Sequence, residues 1–367
     1  MEAYSAAFGK EPAVVAYAPG RVNLMGDHTD YNGGWVLPCA IDRWVAVAMD
    51  EGPGLLVSAD LPQTETLTGC SNSAWAAHPR GVAWALADVG YSIPSFQAAY
   101  AGNVPRGSGL SSSAAIQVAT CTGLSTLFQL EVPPRRMAQV CQAAENRFVG
   151  VDSGIMDQFV SIFALAGHAL LLDCRSLEYR SIPLELEQAS IRLVVCHTGT
   201  DRHLASSGYN ERRAGCNEAA HILGISSLRD ATTEDVDRLS GKLKRYCRHV
   251  VSENGRVLAA ADALDSADFE AIGRLMFESH QSLRIDFSVS TPQLDEFVQA
   301  ARDSGAFGAR VTGAGFGGCG VALVPVSRST YLEEETKRRY QNRGYSPPTF
   351  FHVSPSQGAV ASSAGAN

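Results

Sequence analysis

No two of the nine cysteines in this 367-residue sequence stand as Cys-x-x-Cys, and the set is odd in number and scattered from Cys39 to Cys319. That pattern excludes a cysteine-rich zinc site and a disulfide framework, and it fits a reducing compartment. Long apolar runs are missing as well. The most apolar stretch, residues 159–172, is interrupted by His168 and falls short of the about 18 residues that a membrane span requires. No basic segment leading into an apolar run stands at the start, so the expected location is the cytoplasm, away from membranes. An excess of positive charge is lacking too: 30 Lys and Arg stand against 38 Asp and Glu, a formal charge of −8. Such a surface disfavours phosphate backbones and anionic lipid while leaving room for a local basic pocket, so nucleic acid is not an expected partner.

What is present describes a globular chain. With 45% hydrophobic and 19% charged residues, it is neither disordered, fibrous nor coiled-coil. Its length, at about 150 residues per domain, suggests two domains or one two-lobed unit. No internal repeat of fixed period is present, and the one biased segment, the Ser-, Ala- and Gly-rich tail 354–367, is expected to fray. Residues 14–18 read as a strand that breaks at Pro19-Gly20. The dipeptide Asn32-Gly33 signals a hairpin turn before the apolar stretches of residues 35–49. A short strand at 97–101, a glycine-rich loop and a helix over 114–130 follow, then a second helix at 135–148 and buried strands at 169–174 and 192–197. The expected boundary lies within 183–190. Beyond it come helices from Ser207 to Arg284 and a second glycine-rich segment, 312–320.

Four segments carry chemistry. In the first, Gly107-Ser108-Gly109-Leu110-Ser111-Ser112-Ser113 precedes a helix, so small residues, backbone N–H groups and the positive end of the helix dipole can cradle a polyphosphate. No Lys follows the glycines and no third glycine completes a dinucleotide fingerprint; a merely well-capped helix start fits the same residues equally well. The second, residues 20–34, clusters Asp27, His28, Thr29 and Asp30, the donors and acceptors a polyhydroxylated ligand requires, or else those of a polar turn capping its own backbone. In the third, Asp157 lies among Ile155, Met156 and Phe159, a costly place for an unpaired acid. A tuned functional group and an ion-paired or capping Asp are both open. The fourth, 312–320, either closes over a nucleotide or is a tight strand connection.

The run APGRVNLMGDHTDYNGG resembles the galactokinase signature, VPRGSGLSSSAA the central phosphate-binding motif of the GHMP small-molecule kinases, and GARVTGAGFGGCGVAL their third motif, all in the family's order. SGIMDQF, TGTDRHLASSGYNERRAGC and SLRIDFSVSTPQLD resemble galactokinases more specifically. The resemblance runs from about Tyr17 to Leu323. It implies an α+β, two-lobed fold: an N-terminal α/β lobe like ribosomal protein S5 domain 2 (residues 1–188) and a C-terminal ferredoxin-like lobe (189–353), with 354–367 a flexible tail. By the same resemblance, Gly107 to Ser113 hold the phosphates of ATP, and Ser113 and Glu145 coordinate Mg²⁺. Asp157 is then the general base at the anomeric hydroxyl of a hexose, with Arg21 orienting it. Asp27, His28, Thr29, Asp30, the Gly154 backbone and the Tyr209 hydroxyl bind the sugar. Asp27 departs from the Glu of galactokinases; Gly208 and Ile285 also depart from commoner choices. The implied activity is phosphorylation of galactose at C1 by a monomer or weak dimer. A kinase for an N-acetylated, deoxy or other monosaccharide, and a non-catalytic sugar sensor, are the alternatives.

Overall fold

The computed structural model describes residues 1–68, 74–105, 107–200 and 205–363. Cys70, Arg106 of the central glycine-rich motif, residues 201–204 of the 198–216 segment and the last four residues of the tail lie outside them. The chain begins with α1 (Glu2–Phe8), β1 (Val14–Met25), β2 (Trp35–Glu51), β3 (Leu55–Ser58), β4 (Leu61–Thr66), α2 (Ala74–Asp88) and β5 (Phe96–Gly102). It continues with α3 (Ser112–Leu127), α4 (Pro134–Ala143), α5 (Met156–Phe163), β6 (His168–Asp173) and β7 (Tyr179–Pro183). After these come β8 (Ile191–His197), α6 (Ala205–Leu223), α7 (Thr233–Asp237), α8 (Gly241–Asp265), α9 (Phe269–Ile285) and α10 (Pro292–Asp303). The last elements are β9 (Gly308–Thr312), β10 (Cys319–Pro325), α11 (Ser329–Arg343), β11 (Thr349–Val353) and β12 (Val360–Ser363).

Two sheets organise these elements. The first runs β12-β1-β2-β5-β3-β4, with β6 joining β2 and β7 joining β6; β3 and β5 pair parallel and the rest antiparallel. The second, β11-β8-β10-β9, is antiparallel throughout. Numbered within its own lobe its order is 4-1-3-2, which with helices after the first and third strands is the ferredoxin-like arrangement. The α+β two-lobed class is therefore the one found. One apolar core is shared by both lobes. It runs from Val22, Leu24 and Val47 in the first sheet, through Ala115 and Val118 of α3 and Val257 and Ile272 of α8 and α9, to Leu193 and Val321 in the second. At about 1.5–3 kcal/mol per buried aliphatic side chain, this continuity holds the lobes against each other.

Three local expectations are corrected. The strand does not stop at Pro19-Gly20: β1 continues to Met25, and its register against β2 shifts between Pro19 and Arg21 and again between Asn23 and Met25. Proline lacks the ladder N–H, and a bulge absorbs the defect while re-aiming the residues after it. The single helix expected over 135–148 is α4 followed by a π-helical turn, Ala144–Val149. The tail is not frayed over its described part, because Val360 to Ser363 pair with Tyr17 to Val14 at the edge of the first sheet. The apolar–polar composition of 354–363 hid a strand whose partner lies at the other end of the chain.

Candidate active site

A hollow of about 290 Å³ lies where the lobes meet, bordered by the 107–113 loop, the π-turn, residues 151–158, the end of β1, Tyr209 of α6 and the β9–β10 turn. The β1 bulge aims Arg21 into it. The guanidinium donates through Nε to Asp157 Oδ1 at 2.7 Å and through Nη2 to Oδ2 at 2.6 Å, and its Nη1 donates to the Gly109 carbonyl at 2.6 Å. This bidentate fork is the geometry that fixes a carboxylate most firmly. Arg21 is 6% exposed in its side chain and Asp157 28%, so the arginine is a buried strut and the carboxylate remains reachable. Ser111 also donates its hydroxyl to Asp157 Oδ2. To do so it takes φ +65° at the start of α3, a left-handed backbone that a non-glycine residue adopts at some cost and that clusters at functional sites.

The phosphate-loop residues do not all face the hollow. Gly107, Gly109, Ser111, Ser112 and Ser113 line it, at the amino end of a 16-residue helix, the place where unsatisfied N–H groups favour an anion. Ser108 and Leu110 are buried and off the lining: the Ser108 hydroxyl donates to the Pro105 carbonyl at 2.6 Å, and the Leu110 carbonyl accepts the Arg21 N–H at 3.1 Å. They shape the loop, and their side chains contact nothing in the hollow.

Glu145, in the π-turn, lines the same hollow as Ser113 while being only 7% exposed. Burial pushes its carboxyl up to about 7, with the Asp157 charge adding to the rise and the Gln117 amide, donating at 2.6 Å, opposing it. A π-turn is an uncommon device found often at functional positions; here it turns an acid inward from a helix end.

The four clustered residues Asp27, His28, Thr29 and Asp30 divide. Asp30 has no cationic partner within ion-pairing distance among the described residues, and burial together with the Asp157 charge lifts its carboxyl to about 7. It packs so closely on Gly154 that any side chain at that position would collide with its carboxylate. Asp27 is 2% exposed and gripped from the other lobe: Oδ2 accepts from Arg310 Nη2 at 2.7 Å and Oδ1 from the Gly313 N–H at 3.1 Å. Burial raises it to about 6 despite Arg310. His28, at φ +66°, lines the hollow, but both ring nitrogens are engaged, Nε2 with the Ala314 carbonyl at 3.1 Å and Nδ1 with the Tyr31 hydroxyl at 2.9 Å. Nε2 is therefore the protonated nitrogen, and burial depresses the imidazole to about 3 and keeps it neutral. Thr29 is fully buried, its hydroxyl bonded to the Gly26 and Trp35 carbonyls, and it is absent from the lining. The expectation that Thr29 meets ligand is thus corrected: it closes the turn. Tyr209 lines the hollow, its ring packed on Tyr31 and His28, with burial holding its hydroxyl protonated.

Sequence reasoning missed several residues. Arg310 is 0% exposed and ties Asp27 to Glu253; Glu253 also accepts the Gly26 N–H and the Ser279 hydroxyl. An Arg within a glycine-rich motif carries no local sign of a carboxylate nearly three hundred positions away. A second cavity, about 260 Å³, shares Ser112 and Ser113 with the first and is walled by Trp75, His78, Tyr100, Val104 and Ile116. The aromatic residues of α2 offered no spacing signal. The connection 312–320, left open between a nucleotide lid and a strand turn, is the β9–β10 turn, and its Gly313 and Ala314 border the hollow. At φ +79°, with a side chain there meeting the Gly109 carbonyl at 2.8 Å, Gly313 lets the two glycine-rich segments touch.

Among known proteins, the galactokinase galactose-binding signature matches residues 2–51, the GHMP kinase N-terminal domain 77–164 and the GHMP kinase C-terminal domain 260–343. The galactokinase of Streptomyces coelicolor is 40% identical over 373 aligned residues, 98% of this chain and 96% of that one. That of a Roseiflexus species is 42% identical over 93% and 91%. The crystal structure of Lactococcus lactis galactokinase complexed with galactose superposes with a TM-score of 0.93 at 32% identity, covering 98% of both chains. With family motifs, sequence identity and fold in agreement over almost its whole length, the chain belongs to the galactokinase family of GHMP kinases.

Proposed function

We propose that this chain transfers the γ-phosphoryl group of ATP to the C1 hydroxyl of galactose, releasing ADP and galactose 1-phosphate. The observation that carries this reading is the Arg21–Asp157 fork standing in the same hollow as the phosphate loop and Glu145. The backbone N–H groups of Gly107 to Ser113 and the start of α3 hold the phosphates. The cavity walled by Trp75, His78 and Tyr100 adjoins that loop and takes the adenine. Asp30, the Gly154 backbone and Tyr209 hold sugar hydroxyls, with His28 as a neutral wall and Asp27 bracing the floor. Wrong sugars are rejected because these buried polar groups are left unpaired.

The Ser113 hydroxyl and the Glu145 carboxylate are hard oxygen donors on one wall, and together they fit Mg²⁺, which keeps waters and phosphate oxygens as its other ligands. When bound, the ion neutralises charge on the β- and γ-phosphates. Asp157 accepts the C1 hydroxyl proton as the oxygen attacks phosphorus, and the two-point grip of the Arg21 guanidinium keeps that carboxylate aligned. Placement at the lobe junction excludes water that would compete with the sugar for the phosphoryl group. The lobes are assigned to residues 1–188 and 189–353, with residues 354–363 returning to the first sheet. An ADP-release assay over a panel of hexoses with Mg²⁺ and ATP tests the reading. Galactose is expected to support turnover, and release with an N-acetylated or deoxy hexose but none with galactose overturns it.

A further inference from the structure

Gln117 sits on α3, off the lining of the hollow and with no role assigned to it above, yet it is fully buried where α2, α3, α5 and the π-turn converge. Its Nε2 lies 2.6 Å from Glu145 Oε2 and 3.1 Å from His78 Nδ1, and its Oε1 accepts from Gln158 Nε2 at 3.3 Å. The two amide protons thus go to two acceptors and the amide oxygen receives a donor. The flipped amide would set oxygen against a carboxylate and an imidazole nitrogen, so only one orientation satisfies all three neighbours. Glu145 Oε1 has no protein hydrogen bond among the described residues, although the residue is 7% exposed. A nearly buried carboxylate with one oxygen held and the other open is arranged to receive a further ligand.

We propose that Gln117 is the positioning residue of the metal carboxylate, clamping Glu145 through Oε2 so that Oε1 stands ready for Mg²⁺. The inference rests on the reading of Glu145 as a metal ligand. Outer partners of this kind orient ligating carboxylates, and their loss typically costs about 10–100-fold in metal affinity. Gln117 also ties that clamp to His78, which walls the adjoining cavity, and to Gln158, the neighbour of Asp157 in α5.

The test measures Mn²⁺ binding to the enzyme–ADP complex, counting free Mn²⁺ by electron paramagnetic resonance, for the wild type, Gln117→Met and Glu145→Gln. Gln117→Met is expected to weaken Mn²⁺ binding about tenfold, with galactose affinity unchanged by calorimetry and turnover rising back toward the wild-type rate as Mg²⁺ is raised. Gln117→Asn, one methylene shorter, keeps an amide in the polar pocket but cannot reach the carboxylate; it is expected to do the same, and it keeps the test decisive if the Met variant does not fold. Weakened binding in Glu145→Gln with wild-type binding in the Gln117 variants overturns the positioning role alone. Wild-type binding in Glu145→Gln overturns the metal-ligand reading beneath it. Equal loss of metal and galactose affinity in the Gln117 variants overturns the proposal in favour of general packing.

Discussion

Replacing Asp30 by Asn removes the least compensated charge in the hollow, and the consequence for stability has a definite sign. A carboxyl carried from 3.8 to about 7 in the folded state corresponds to about 4 kcal/mol, at about 1.4 per pH unit. Asp30 keeps some contact with the hollow, so solvent screening reduces that to about 2 kcal/mol. Because the folded pKa is raised, folding takes up a proton between about pH 4 and pH 7, and the wild-type protein loses stability as pH rises through that window. Asn has no such dependence. Without ligand, Asp30→Asn is therefore expected to melt about 2–3 °C higher than the wild type at pH 8, with the difference closing by pH 4.5. In exchange, a charge-assisted hydrogen bond to the sugar, about 1.5–3 kcal/mol, is lost, so kcat/KM for galactose falls about 10–100-fold. Paired melting curves at the two pH values, with and without galactose, decide the matter. A variant less stable than the wild type at pH 8, or a gap that ignores pH, refutes the reasoning.

Asp157→Asn should lower kcat about 10²–10⁴-fold while the galactose dissociation constant from calorimetry stays near that of the wild type; near-normal turnover would remove Asp157 from the base role. Arg310→Met strands Asp27 as a buried carboxylate and leaves Glu253 with Arg256, at 2.7 Å, as its remaining guanidinium partner, a loss of about 3–5 kcal/mol, visible as a melting point about 4–6 °C lower and absent if the interlobe pair is dispensable. Trp75→Ala should raise the KM for ATP about tenfold through lost stacking, leaving the KM for galactose unchanged; an effect on the sugar alone would place the base elsewhere.

What the sequence disclosed was local. Glycines and serines at 107–113 and the acids at 27 and 30 announce themselves because their chemistry resides in neighbouring positions. The resemblance supplied the pairing of Arg21 with Asp157, which no spacing rule reaches, since the bulge at Pro19 decides where Arg21 points. The division among clustered polar residues was not legible either. Thr29, Ser108 and Leu110 look like ligand residues in a string of letters, yet a backbone carbonyl three positions away captures each hydroxyl, and the Leu110 side chain is buried in the core. Arg310 and Gln117 were invisible because burial, not composition, gives them meaning: the one balances Asp27 across the lobes, the other orders Glu145. The π-turn escaped because a helix widened by one residue leaves the apolar pattern almost unchanged.

The strand Val360–Ser363 hydrogen-bonds along Val14–Tyr17, a few positions before Arg21 on the same strand. During synthesis the edge of β1 therefore waits uncovered until β12 has emerged, and the first lobe is finished only after the second exists. Separating the halves at 188/189 would leave the amino-terminal fragment with an open, adhesive margin a few positions from Arg21.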